Sequence, residues 1–153
     1  ALRFNIEEVP VIGAKAAGVK AINLKKDDVL AAAFIANTDS LYLLTQRGAL
    51  KRMAVADIPV TSRANRGLQV LRELKAKPHR VFAAGPVFAE ATDFDLFTTE
   101  AEASEEQILQ VLSNKGTVYE INLADLSLSE RTSNGSFISD TISDEEVFSA
   151  YIK

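Results

Sequence analysis

The sequence predicts an all-β, propeller-like repeat domain, and three observations carry that prediction. One motif recurs along the chain, apolar residues inside each copy alternate with a period of two, and glycines fall at matching turns. Nearly half of the 153 residues are apolar, enough to build a hydrophobic core.

The repeat sets out the elements in order. Arg3-Phe4-Asn5-Ile6-Glu7-Glu8-Val9-Pro10-Val11 matches Arg52-Met53-Ala54-Val55-Ala56-Asp57-Ile58-Pro59-Val60 without a gap, at an offset of 49. Gly18 meets Gly67 at the same offset, and Val29-Leu30-Ala31-Ala32 meets Val81-Phe82-Ala83-Ala84 with three residues of slack. At an offset of 68, Leu43–Leu50 corresponds to Val111–Val118 and Gly67 to Gly135. The larger offset requires an insertion of roughly 16 residues, placed at Ala91–Glu106. The chain is thus one partial domain, 1–153, of about three units (1–37, 38–88 and 89–153), the first without its opening strand.

Within a unit, Leu41–Gln46 and Ala49–Met53 form a hairpin around Arg47-Gly48, and Asn114-Lys115-Gly116 repeats that turn. Gly67–Leu74 alternates apolar with polar and reads as a strand with one face inward. Arg80–Val87 is more continuously apolar, as expected of a strand buried on both sides. Four short strands in about 50 residues is the pattern of a propeller blade. In the insertion, Thr92–Thr99 is expected as an extra edge strand and Glu100–Glu106 as an acidic loop or one helical turn. Ser104-Glu105-Glu106-Gln107 resembles a capping box, but the register makes Ile108–Leu112 a strand. Three blades do not close a ring, because propellers have at least about four. An incomplete fragment of a larger ring is therefore expected.

Cysteine is absent, which excludes disulfides, thiolate metal sites and a Cys nucleophile and fits a reducing cytosol. No apolar run is long enough for a membrane span, so no membrane insertion is expected. The net charge of −4 conceals an asymmetry. Residues 1–87 carry 14 Lys/Arg against 7 Asp/Glu, a net of +7, and residues 88–153 carry 3 against 14, a net of −11. Such a split suits one region to a polyanion and another not.

Catalytic chemistry finds no support. His79, the single histidine, has no nucleophile or acid nominated beside it; it aligns with Asp27 and is expected to face solvent in a loop. Asp140, Asp144, Glu145 and Glu146 read as a hydrophilic stretch rather than a metal site. Gly13–Gly18 lacks the Gly-Lys-Ser/Thr ending of a phosphate loop, and Tyr42, Tyr119 and Tyr151 read as packing residues. What remains is a basic set at repeated positions. Lys15 and Lys20 flank Gly18, Arg63 and Arg66 precede Gly67, and Arg47, Lys51, Arg52, Arg72, Lys75, Lys77 and Arg80 join them. Cations that recur in the loops between blades are spaced to follow a phosphate backbone, so these are the candidate DNA contacts.

Three segments, Pro10–Leu24, Tyr42–Met53 and Ser62–Leu68, resemble the C-terminal domain of the DNA topoisomerase IV A subunit in its Gram-positive form, and the related domain of the gyrase A subunit. The resemblance is close over most of 1–87 and looser over 107–138. It implies a β-pinwheel whose blades exchange strands, and duplex DNA bent around a basic rim. It further implies a cytoplasmic, nucleoid-associated, ATP-dependent parent enzyme in which catalysis, Mg2+ and ATP belong to other domains or to the B subunit. This chain would then hold no cofactor and no catalytic residue. The gyrase box Gln-Arg-Arg-Gly-Gly-Lys-Gly is absent, which favours bending over gyrase-type wrapping. The acidic 88–153 region leaves a propeller serving protein–protein interaction as the other alternative. A small hydrolase is a further rival, without an acid–base pair to support it.

Overall fold

A computed structural model describes residues 1–26, 28–88 and 106–153. Most of the insertion, with its expected edge strand and capping box, lies outside the described residues, as does Asp27. Seven strands are described: β1 (Ser40–Thr45), β2 (Ala49–Ala54), β3 (Val81–Val87), β4 (Ile108–Ser113), β5 (Val118–Asn122), β6 (Ser136–Phe137) and β7 (Val147–Ile152). They form two antiparallel sheets, ordered β3-β1-β2-β6 and β5-β4-β7. The all-β expectation holds, and among the described residues the two sheets do not close into a barrel or ring.

The repeat is legible in the backbone. One-turn 3-10 helices stand at Ile6–Glu8, Val55–Asp57 and Leu123–Asp125, separated by the same offsets of 49 and 68. The first and third are capped by an asparagine, Asn5 accepting from the Glu7 N–H and Asn122 from the Ala124 N–H. The β1–β2 and β4–β5 hairpins turn through Gly48 and Gly116, both at positive φ. Even the irregularities match: a register shift falls between Leu44 and Thr45 opposite β3, and between Leu112 and Ser113 opposite β7.

β6 belongs to the third unit by sequence but ladders onto β2 of the second, Leu50 facing Ser136 and Ala49 facing Phe137. A four-stranded blade is thus completed by its neighbour. The counterpart contact between the first two units is one reciprocal pair of bonds, from the Leu68 N–H to the Ala1 carbonyl and from the Ala1 ammonium to the Leu68 carbonyl, both 2.8 Å. This corrects the expectation of a strand over Gly67–Leu74, which is not laddered. Beyond Leu68 its backbone groups are taken by side chains, the Gln69 carbonyl by Arg131, the Val70 carbonyl by Lys51 and the Arg72 N–H by Asn134. Val29–Ala32 forms no strand either, and Val29 is 87% exposed. Its counterpart β3 pairs with β1, whereas Val29–Ala32 pairs with none of the described strands.

The core lies on both faces of the first sheet. Tyr42, Leu44, Leu50 and Val87 pack with Leu109, Val111 and Val147 of the second sheet and with Leu123 of the 3-10 turn that follows β5. Leu41, Leu43, Met53, Val55, Ile58 and Val70 fill the other face. The strand buried on both faces is β1, central in its sheet, whereas β3 is an edge strand and only half-buried. Continuous apolarity in Arg80–Val87 pointed to the right element type and the wrong position in the sheet. Tyr42 and Tyr119 pack in or against the core as expected, but Tyr151 is more than half exposed.

Candidate nucleic-acid interface

The expected basic residues divide into those spent on the fold and those facing solvent. Two repeated arginine contacts hold neighbouring units together. From the first unit Arg3 donates to the carbonyls of Val55 and Ile58, at 3.3 and 3.4 Å, flanking the 3-10 turn of the second. Its counterpart Arg52 reaches the Ala124 carbonyl in the third unit's turn at 3.3 Å, while its Nε bonds Ser40 Oγ at 2.9 Å. Parallel bridges Arg3–Val60 and Arg52–Leu128 accompany these contacts.

In the opposite direction, Arg63 donates to the Lys20 carbonyl and, at 3.1 Å, to the Glu8 carbonyl. Arg131, its counterpart 68 residues on, donates to the Gln69 carbonyl at 2.5 Å. Arg52 and Arg63 are therefore fasteners between units. A guanidinium offers several donors in a fixed fork, which suits it to bridging carbonyls of two chain segments.

Lys51 requires a correction. It is only 2% exposed, and its ammonium donates to the carbonyls of Val70 (2.5 Å), Arg131 (2.6 Å) and Ser133 (2.8 Å), with Glu130 at 3.4 Å. Desolvation, then the charge of Arg131, lowers its pKa to about 8, against a smaller upward pull from Asp57. An ammonium enclosed in this way is not presented to a phosphate.

Arg47 is half-buried. It donates to the Lys77 carbonyl at 3.0 Å and to His79 Nε2 at 3.1 Å, and its guanidinium lies 5.6 Å from the Phe137 ring centre. His79 is correspondingly not a solvent-facing loop residue. Its Nδ1 lies 3.1 Å from Thr45 Oγ1 and its ring 6.0 Å from that of Phe137. Desolvation, then Arg47, lowers its pKa.

The exposed members are Lys15, Lys20, Arg66, Arg72, Lys75 and Lys77, with Arg80. The seam between the first two units brings Lys20 beside the Arg63–Arg66 loop, through Ala64 N–H to Ala21 carbonyl (2.8 Å) and Asn23 N–H to Asn65 carbonyl (2.9 Å). Arg72 stands at the next seam, its backbone N–H on Asn134 Oδ1 at 2.8 Å. Lys77 and Arg80 gather around Gln46 and Arg47 of the β1–β2 turn. Lys15 sits in the Gly13–Ala16 turn and is joined to neither group by a hydrogen bond. The sequence pattern could not separate fasteners from exposed cations. Arg131 lies outside the expected basic set because its surroundings are acidic, although its offset from Arg63 marked it as the counterpart of a fastener.

Among the described residues, no three His, Asp or Glu side chains converge to hold a metal ion, and no helix is long and apolar enough to cross a membrane.

Comparisons with known proteins agree with this architecture. A family model described as the DNA gyrase C-terminal domain, a β-propeller, matches residues 1–37 and 39–87. The DNA topoisomerase 4 A subunit of Streptococcus pneumoniae serotype 4 is 69% identical over 153 residues, which are all of this chain and 18% of that protein. The Bacillus subtilis protein of the same name is 44% identical over 140 residues, 91% of this chain and 15% of its own length. The chain thus spans less than a fifth of the length of these curated relatives. The crystal structure of the C-terminal domain of DNA topoisomerase IV superposes with a TM-score of 0.77 at 34% identity, covering 97% of this chain and 42% of that one. The DNA gyrase A C-terminal domain shares the fold alone, with a TM-score of 0.57 at 17% identity over 90% of this chain and 42% of its own. With a strand of one unit completing the sheet of its neighbour and a family match across more than half its residues, the chain belongs to the β-propeller C-terminal domains of the DNA gyrase family, alongside those of the topoisomerase IV A subunit.

Proposed function

We propose that this chain binds and bends duplex DNA for a type II topoisomerase of the topoisomerase IV kind, steering DNA segments during decatenation and supercoil relaxation. The observation that carries the reading is the clustering of Lys20 and Arg66 at the first seam, exposed, on a backbone pinned by Arg63. Cations repeated along successive seams would neutralise phosphates without reading bases, so binding would be weakly sequence-dependent and steeply salt-dependent. The chain would take no part in strand cleavage. Mg2+ and ATP would belong to other parts of the parent enzyme and its B subunit, in the bacterial cytoplasm.

The test is a titration of the protein against a short labelled duplex at several salt concentrations, with Lys20→Glu/Arg66→Glu and Arg63→Ala variants. The double variant should weaken binding. It should also flatten the slope of log affinity against log salt by about 0.9 for each phosphate it no longer neutralises. Arg63→Ala should lower stability as well, because it releases the Glu8 and Lys20 carbonyls. Binding by the parent protein that ignores both salt and the double variant would turn the assignment toward a protein partner. The apolar outer face of the second sheet would then be the place to look, where Phe148 and Val118 are exposed.

A further inference from the structure

The two seams satisfy the same acceptor positions with different donors. At the first, the Ala21 and Asn65 carbonyls take backbone N–H groups of Ala64 and Asn23 from across the seam, at 2.8 and 2.9 Å. Their counterparts at the second are the Val70 and Ser133 carbonyls, and both turn onto the ammonium of Lys51. The Arg72 N–H, counterpart of the Asn23 donor, goes to the Asn134 side chain instead. The repeat puts Leu2 at the position of Lys51 in the first unit and Tyr119 in the third, so neither neighbour has an ammonium there.

An ammonium has three N–H donors and no acceptor, and here it stands between segments that the other seam bonds directly. Its two flanking bonds, 2.5 and 2.8 Å from one nitrogen, replace single bonds of similar length across the first seam. The 130–133 loop of the third unit is therefore held off the second unit by a side chain rather than closed on it. No carboxylate lies within salt-bridge distance of the ammonium among the described residues. Its direct partners are backbone carbonyls, with Asp57 acting only from beyond contact distance, which ties its position to the two backbones it spans.

We propose that Lys51 is a positioning residue that sets the angle between the second and third units, and through it the bend a duplex takes across the second seam. The part about DNA rests on the function proposed above. The part about the angle does not.

One experiment separates the two. Ala76 and Lys115 are exposed on the second and third units, and the chain has no cysteine, so a double cysteine variant at these positions accepts a donor–acceptor dye pair. Energy transfer then reads the inter-unit distance, and an end-labelled duplex reads the bend. Lys51→Met keeps the volume without the charge. Lys51→Arg keeps the charge but replaces a point donor by a planar fork. Both should shift the inter-unit transfer efficiency and the duplex bend. Affinity should stay within about twofold with an unchanged salt slope, since no exposed cation is removed. General destabilisation would lower affinity along with the bend. If Lys51→Met does not fold, Lys51→Arg carries the test by itself. An unshifted inter-unit distance in a folded variant overturns the proposal. Absence of DNA binding by the parent protein overturns the proposed function, while the distance measurement still decides the role of Lys51.

Discussion

The first and second seams share their fasteners and differ in how they close. In each, an arginine reaches forward to the next 3-10 turn, Arg3 or Arg52, and another reaches back to a carbonyl, Arg63 or Arg131. In each, a glycine at positive φ, Gly67 or Gly135, lets the incoming chain lie against the previous unit's carbonyl. The closing donors are backbone N–H groups at one seam and a buried lysine at the other. A repeat can therefore keep one set of joints and still vary an individual seam through a single side chain.

The glycine joint gives the largest expected effect. A Cβ at Gly135 would collide with the Leu50 carbonyl and press on the Lys51 side chain, at φ +78. Gly18, its counterpart two units back, has φ +84 and open space around it. Gly18→Ala should cost only the left-handed conformation, about 1–2 kcal/mol. Gly135→Ala should cost that and detach β6 from β2 as well, with a drop of more than about 3 kcal/mol in urea unfolding. Equal losses in the two variants would show that the close carbonyl is not what joins the units.

Lys51 sharpens the comparison through pH. Its folded pKa of about 8 lies below the ordinary 10.5 that it regains on unfolding. Between these values the unfolded chain holds more protons, so stability rises with pH across that window. The penalty of burying the charge is complete below about pH 8 and gone above 10.5. Unfolding free energies measured from pH 7.5 to 10.5 should climb for the parent protein and climb less for Lys51→Met. Parallel curves would mean that the ammonium is no more strained in the fold than in water.

Much of this was readable from the sequence because repeats constrain one another. Matching Arg3–Val11 to Arg52–Val60 aligned the stretches that carry the first two 3-10 turns and the forward arginines, though it announced neither, and the Gly48–Gly116 match located the hairpins. What was not readable depends on the neighbouring unit. Gly67–Leu74 has strand-like alternation, yet its Gln69 and Val70 carbonyls go to the side chains of Arg131 and Lys51 rather than to a neighbouring strand. Lys51 and Lys77 are the same residue type, and only the placement of the 130–133 loop makes one a buried clamp and leaves the other exposed. Charge pattern marks where cations are, while the fold decides which of them are consumed.

The smallest expected effect lies on the flank of the second seam, at His79. Because Arg47 donates to Nε2, the neutral ring carries its proton on Nδ1 and donates to Thr45 Oγ1, which also accepts the Ala49 N–H at 3.1 Å. Both Arg47 and His79 pack on Phe137 of β6, so this cluster ties the exchanged strand to the hairpin that receives it. Protonation of Nε2 would remove the acceptor used by Arg47 and set two cations side by side, with Lys77 and Arg80 nearby. The pKa of His79 is lowered in the fold, first by desolvation and then by Arg47. The unfolded chain therefore takes up the proton first as pH falls below about 6.5, and stability declines from there down to the lowered folded value. His79→Phe keeps a ring against Phe137 and cannot titrate, so its unfolding free energy should be flatter over this range. Amide exchange at Ile138, whose N–H bonds the Gly48 carbonyl at 3.0 Å, should quicken with acid in the parent protein and not in the variant. Equal acid sensitivity in the two would place the titrating group elsewhere and leave the exchanged strand held by its ladder alone.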